Sequence, residues 1–417
     1  MPKYPIDRIR EAFPALERMV GGKRAIFFDG PGGSQVPLTV ARAVSDYLLH
    51  HNANTGMDFA TSVETDELIH ESLQACADFI GCIDPLEIAF GQNMTSLNIQ
   101  LASALSRTWG EGDEVVVTRL DHDGNVRPWV LAAEWSGATL RKIDVNPEDC
   151  TLDMKSVIGS ISEKTVLVAL GAASNLSGTI NDVKKIVEIS HEFGAEVVVD
   201  AVHYAPHSLI DVGDFGCDYL LCSPYKFFGP HQGLLWGKGE RMSELPVAKL
   251  RVSSDEIPFR WMTGTQSHEG MAGTMAAIDH LAWIGRVSSG QGGLTRREAL
   301  VEAFSHIEDH ERELCGRMIE GLMSIEGLKI WGITDPKRIT ERAPTISFTH
   351  PRISASELGR KLAERGVFVW AGNFYALELT EALDLEPEGV LRAGLLHYNT
   401  GEEVEEFLHH VGEIIES

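Results

Sequence analysis

The chain predicts a mostly parallel, doubly wound α/β sheet with a smaller α+β C-terminal domain, on three observations. Short β-branched and apolar runs recur between longer amphipathic stretches. These runs are apolar throughout rather than alternating, which marks strands covered on both faces. Glycine is frequent, 40 of 417 residues, as expected where many tight turns join strands to helices. A chain of 417 residues is long for one core and suits two units, expected as 25–275 for the large α/β domain and 1–24 plus 276–417 for the smaller one.

Taken in order, Ile26-Phe27-Phe28 leads into Gly30-Pro31-Gly32-Gly33, which reads equally well as a plain turn or as a loop lining a substrate. Its spacing fits neither G-x-G-x-x-G nor G-x-x-x-x-G-K-[ST]. Cys76 and Cys82 fall in an early helix-and-turn region and read as core. The clearest strands are Val115-Val116-Val117-Thr118, Thr165 to Leu170, Val197-Val198-Val199-Asp200 and Tyr219-Leu220-Leu221-Cys222. Asn181 to Phe193 reads as a helix closed by Gly194, a residue suited to a helix C-cap. From about Gly273 the character changes. A long helical stretch carries Ala276, Ile278, Leu281 and Ile284, breaks at Ser288 to Gly293, and is followed by a second amphipathic run to about Ile325. Strands are expected at Ala343 to Thr349 and Val367-Phe368-Val369-Trp370, and a last amphipathic helix at Glu402 to Ile415.

Composition narrows the function. Lys plus Arg number 36 against 61 Asp plus Glu, a formal charge of −25, which repels phosphate backbones and anionic lipid and disfavours a nucleic-acid or membrane-surface role. No apolar stretch approaches the roughly 20 residues that span a bilayer. The N-terminal Met1-Pro2-Lys3-Tyr4-Pro5-Ile6-Asp7 lacks the apolar run of a secretory signal, so a cytoplasmic location is expected. Six scattered cysteines form no C-x-x-C pair and no H-E-x-x-H is present, so neither a disulfide framework nor a metal site is expected. A small molecule is the remaining class of partner.

The chemistry gathers at the C-terminal ends of the strands, the edge where open α/β sheets bind ligands. One strand ends in Asp200-Ala201-Val202-His203, and the next runs into Ser223-Pro224-Tyr225-Lys226-Phe227-Phe228-Gly229-Pro230. A lysine among aromatic and apolar neighbours is a poor solvated cation; partial burial favours the neutral amine that a nucleophile needs. Asp200 lies 26 positions earlier, one strand over, where it could hold a cationic ring nitrogen. A lysine Schiff base with an aspartate against a pyridinium is how proteins manage pyridoxal phosphate. Singly, each residue has a blander reading: Asp200 a loop or cap residue, Lys226 a snorkelling surface lysine.

Over about Phe27 to Ile415 the chain resembles the class V aminotransferase family of fold-type I pyridoxal-phosphate enzymes, particularly its cysteine desulfurase and selenocysteine lyase branch. Ser223-Pro224-Tyr225-Lys226 is similar to that family's S-x-H-K, which implies Lys226 as the cofactor lysine, with Tyr225 in place of the histidine offering a hydroxyl to the phosphate. Asp200-Ala201-Val202-His203 resembles D-x-x-Q/H, implying Asp200 on the pyridinium and His203 on the phenolic oxygen. Asp121-His122-Asp123-Gly124-Asn125-Val126-Arg127-Pro128-Trp129 is similar to E-H-x-x-N-x-x-P-W, implying that His122 stacks on the cofactor ring and assists proton transfer. Gly91 to Asn98 resembles the phosphate-cradling turn into a helix, with Asn93, Met94 and Thr95 as the implied contacts. Ser174-Asn175-Leu176-Ser177-Gly178 resembles S-N-x-x-G, implying Asn175 near the ring oxygen. Gly264-Thr265-Gln266 resembles G-T-P, implying that Thr265 reaches the phosphate of a neighbouring subunit and that the enzyme is a homodimer with shared active sites. Arg392, in a stretch like R-x-S-x-x-x-Y-N-T, is the implied clamp for a substrate α-carboxylate.

The chain departs from this branch at one place. The loop that carries the branch's nucleophilic cysteine corresponds to Trp370-Ala371-Gly372-Asn373-Phe374-Tyr375-Ala376, where Tyr375 takes the cysteine position, and no cysteine follows Cys315. Cys222 is close to Lys226 in sequence but ends an expected buried strand. Persulfide formation needs a mobile thiolate; elimination of a β-substituent, a C–S or C–Se lyase reaction, does not. β-Elimination is the expected reaction, with transamination or epimerisation as the alternative and a non-catalytic scaffold as a reading of another class. Phe374, Tyr375 and the run Asn52 to Phe59, with Asn54, are expected to line the substrate pocket.

Overall fold

A computed structural model describes residues 4–417; Met1, Pro2 and Lys3, which open the N-terminal stretch read above, lie outside the described residues. The four clearest runs expected as strands all belong to one seven-stranded sheet, as Glu114–Thr118, Thr165–Gly171, Glu196–Asp200 and Tyr219–Cys222. Thr139–Ile143 pairs in parallel on the far side of Glu114–Thr118. At the other edge Gly233–Gly237 runs antiparallel to Tyr219–Cys222 and to Ile88–Gly91. Only Gly233–Gly237 is reversed, so the C-terminal ends of the other six strands open on one edge. Val116, Val198 and Leu221 are fully buried, as the unbroken apolar pattern requires when helices cover both faces.

The helix Val183–Glu192 is capped by the Asp182 carboxylate on the Lys185 N–H and ends just before Gly194, whose φ of +80° is the left-handed conformation glycine adopts without strain. The Ser- and Gly-rich break separates His268–Ser289 from Arg296–Met323, and Ser288 and Ser289 still belong to the first helix. Thr295 and Glu298 form a capping box that starts the second helix.

A second, antiparallel sheet follows the order Lys329–Trp331, Thr345–Thr349, Val390–Gly394, Trp370–Gly372. The run Val367 to Trp370, expected as one strand, is split. Val367–Phe368 pairs in parallel with Ile26–Phe27, and Trp370–Gly372 joins the four-stranded sheet. The final helix Gly401–Glu416 buries Val404, Phe407, Val411 and Ile414 against Phe28, Phe348 and Leu358. A bridge joins Asp29 to Gly394, at the end of the strand Val390–Gly394. No helix among the described residues is long and apolar enough to cross a membrane.

Candidate active site

The strand ends surround a cavity of about 830 Å³. At one side Asn93 caps the helix Met94–Leu105, its Oδ1 accepting the Ser96 N–H at 2.9 Å. Met94 donates its backbone N–H to Ser223 Oγ at 3.0 Å, joining this helix start to the turn that carries Lys226. Gly233 makes the approach possible: a Cβ there would lie 2.3 Å from the carbonyl carbon of Asn93. Asn93, Met94, Thr95, Ser223 and Tyr225 all line the cavity, so a helix N-terminus and three hydroxyl groups converge there.

Lys226 projects from the turn after Tyr219–Cys222, its Nζ donating to the Pro31 carbonyl. Burial, then the Arg392 cation, outweigh the opposing pull of Asp200 and bring its pKa down to about 7. Asp200 ends its strand with Oδ1 accepting the Val202 N–H at 2.8 Å, and burial raises its pKa to about 6. A cationic ring nitrogen placed against it would reverse that rise. His203 lines the same wall and hydrogen-bonds Thr345.

His122 lies across the cavity with Nδ1 accepting the Gly124 N–H at 2.9 Å. Burial, Lys226 and Arg392 lower its pKa to about 4, so it presents a neutral, flat ring. The Tyr375 ring lies beside it, centroids 5.4 Å apart. Phe374 and Tyr375 hold positive φ angles of +55° and +60°, a conformation non-glycine residues keep only where the surroundings impose it. Two bonds do so here: Asn175 Nδ2 donates to the Phe374 carbonyl at 2.9 Å, and the Asp123 N–H to the Tyr375 carbonyl at 2.7 Å. The loop at the cysteine position is thus a pinned wall. None of the six cysteines, all free, lines the cavity; Cys222 is fully buried and its thiol is pushed far up by burial.

Arg392, on the second sheet, reaches the cavity 3 % exposed. It donates to the Asn175 carbonyl at 2.7 Å and lies 3.7 Å from the Phe374 ring centroid, with Nε buried and unpartnered. Burial lowers its pKa to about 9, opposed only by Tyr225, and it pairs with no carboxylate among the described residues.

Two residues assigned from the sequence lie elsewhere. Thr265 and Asn54 border a separate cavity of about 670 Å³ with Gly264 and His268. Asn54 therefore does not line the Lys226 cavity of its own chain. It follows the helical turn Tyr47–His51, whose Tyr47 hydroxyl accepts or donates a bond with His268 at 3.2 Å, and this holds the segment near the helix His268–Ser289. Pro31 and Gly32 line the cavity, which decides for the second reading of the Gly30–Gly33 loop; Arg127, Trp370 and His231, given no site role from the sequence, line it too. His231 stacks on Tyr225 at 5.0 Å with 11° between the planes, a pairing that local sequence gives no sign of.

The set fits pyridoxal phosphate: a desolvated amine, a buried carboxylate one strand away, a helix start for a phosphate, and Asn175 Oδ1 and Arg392 Nε buried without partners. The low Lys226 pKa has a measurable consequence. Only the neutral amine condenses with an aldehyde, and burial makes that form dominant above about pH 7. Cofactor uptake by cofactor-free protein should rise with pH up to about 7 and then level. A tenfold rise per unit continuing towards pH ~10, as for an ordinary lysine, would contradict the site.

A family model described as aminotransferase class-V matches residues 26–407. The aminotransferase-like protein FGM3 of Gibberella zeae is 33 % identical, over 97 % of this chain and 97 % of its own length. A probable cysteine desulfurase of Halalkalibacterium halodurans is 32 % identical, over 95 % of each chain. The apo structure of cysteine desulfurase from Thermococcus onnurineus NA1 superposes with a TM-score of 0.87 at 27 % identity, covering 100 % of this chain and 99 % of that one.

Proposed function

The chain belongs to the class V aminotransferase family, and on that premise we propose that it is a pyridoxal-phosphate enzyme performing cysteine desulfurase-like C–S or C–Se lyase chemistry on an α-amino acid. The observation that carries the reaction class is the desolvated Lys226 amine, free of any carboxylate partner among the described residues and set opposite Asp200, in a cavity where Tyr375 stands at the place of a thiol. When bound, pyridoxal phosphate supplies an electron sink for charge developing at the substrate α-carbon.

The residues divide the remaining tasks. Arg392 offers its guanidinium fork to the α-carboxylate and so orients the α-hydrogen. Lys226 Nζ would remove that proton as a base, and its pKa near 7 suits the task. Asp200 holds the ring-nitrogen cation, and His122 supplies a flat neutral face. Asn93, Met94, Thr95, Ser223 and Tyr225 hold the phosphate. The β-substituent leaves into the cavity, since no cysteine lines it to take the sulfur. Tyr375 and Phe374 bound the substrate side.

We also propose a homodimer with shared sites. Thr265 and Asn54, separate from the cavity of their own chain, would complete the partner's, and exposed Leu49, Met57, Phe59 and Val252 on neighbouring segments would be covered. The working domains are 25–275 and 1–24 with 276–417, the second delivering Arg392 to the first. Six unpaired cysteines suit the reducing cytoplasm.

The test is product identity. Loaded enzyme given cysteine or a β-substituted alanine should release pyruvate and the free sulfide or thiol, with no persulfide on the protein. Amino transfer to an added keto acid, or inversion at the α-carbon without elimination, would favour the aminotransferase or epimerase alternative. A persulfide on a chain cysteine would overturn the thiol-free route.

A further inference from the structure

His203 follows Asp200 at the strand end, and its surroundings decide what it offers the cavity. It is buried, and its Nε2 lies 2.9 Å from Thr345 Oγ1. Thr345 comes from the second sheet and is completely buried. Either atom could carry the shared proton, yet the threonine hydroxyl has no other partner among the described residues. If the imidazole donated, the hydroxyl proton would be buried without an acceptor and its desolvation left uncompensated. If the hydroxyl donates, an oxygen lone pair goes unused and the leftover ring N–H is at Nδ1, which is not shut away but faces the cavity that His203 lines, where an acceptor can reach it; that is the lesser loss. The hydroxyl is therefore the donor, and the ring proton sits on Nδ1, which has no partner among the described residues and is left for a ligand in the cavity.

A second proton on this ring is opposed on every side. Burial comes first, then His207 on the same turn, Arg392 from the second sheet and Lys226 from the neighbouring strand end. His207 has its ring centroid 5.4 Å from that of His203 and is held through Nδ1 to the buried Glu311 carboxylate at 2.9 Å. Asp200, the acid on this strand end, turns one oxygen to the Val202 N–H.

We propose that Thr345 is a positioning residue: by donating to His203 Nε2 it fixes the neutral Nδ1–H form of the ring, which then presents a hydrogen-bond donor to the ring oxygen of pyridoxal phosphate. This rests on the cofactor reading above and deepens it. A glutamine at position 203 would donate through its amide whatever surrounded it, whereas a histidine donates only when its tautomer is set. A donor at that oxygen favours its anionic form.

The pH midpoint of the bound cofactor's visible absorbance reads this contact. Thr345→Val keeps the shape and removes the hydroxyl. The midpoint is expected to rise by about one pH unit, the size of a hydrogen bond to a charged group, while cofactor content and Tm hold. Thr345→Ser should bring it back. An unmoved midpoint in folded, loaded Thr345→Val would overturn the proposal. Nitrogen-15 NMR of histidine-labelled wild-type holoenzyme tests it even if valine is not tolerated: a His203 Nδ1–H resonance is expected, and Nε2–H overturns it. Absence of any visible band from loaded wild type would instead overturn the cofactor reading and this role with it; the tautomer measurement tells the two failures apart because it needs no band.

Discussion

Lys226→Ala is expected to lower turnover by on the order of 10⁴-fold, the upper range for a positioned proton-transfer group, while leaving a folded protein. The contacts proposed to hold the cofactor without a covalent bond are all elsewhere, at Asp200, Asn93 to Thr95, Ser223 and Tyr225, so binding should survive as a dialysable complex. Stability should not suffer. The amine is largely desolvated, with its pKa brought down to about 7, so the native state bears a desolvation cost that alanine removes. Steady-state kinetics, cofactor retention after dialysis and Tm measure the three claims together. Turnover within tenfold of wild type, or unfolding on substitution, would remove Lys226 from the chemistry.

Arg392→Ala carries the second large effect. A substrate carboxylate left buried without its cation costs roughly 2–5 kcal/mol, or about 30- to several-thousand-fold in kcat/KM. Cofactor content should stay unchanged, because Arg392 touches Asn175 and Phe374 and makes no contact with the residues proposed for the phosphate. Arg392→Lys keeps the charge and loses the fork, so it should fall between the two. Without substrate the guanidinium is buried and has no carboxylate partner, which makes it a burden on the free enzyme. Arg392→Met should therefore lower kcat/KM and leave Tm equal or higher. A lost cofactor with normal substrate affinity in the cofactor-reconstituted variant would make Arg392 structural.

The parallel core of the large sheet was legible because each strand carries its own signal, an unbroken apolar run ending in a polar residue such as Asp200. The reversed strand Gly233–Gly237 and the split at Val369 depend on which backbone each segment meets, and no local pattern announces that. Ten of the residues assigned to the site from the sequence as cofactor contacts converge on one cavity, with Arg392 and Tyr375, because they sit at successive strand ends or on strands brought to the same edge. Asn54 and Thr265 lie outside it, since what they border is set by packing on the helix His268–Ser289. His231 stays hidden for a related reason: its stacking on Tyr225 is a through-space partnership across a turn. The Gly30–Gly33 loop had two readings from its residues, and only the carbonyl of Pro31 against Lys226 decides between them.

The change of chemistry proposed for position 375 is local and is also open to test, but everything proposed for this chain stands on one nitrogen. Borohydride reduction of purified, cofactor-loaded protein, followed by peptide mass spectrometry, examines it directly. The expected result is a single pyridoxyl group per chain, on the peptide that bears Lys226. A pyridoxyl group on a different lysine, or an unmodified Lys226 in a preparation that turns over substrate, would contradict it.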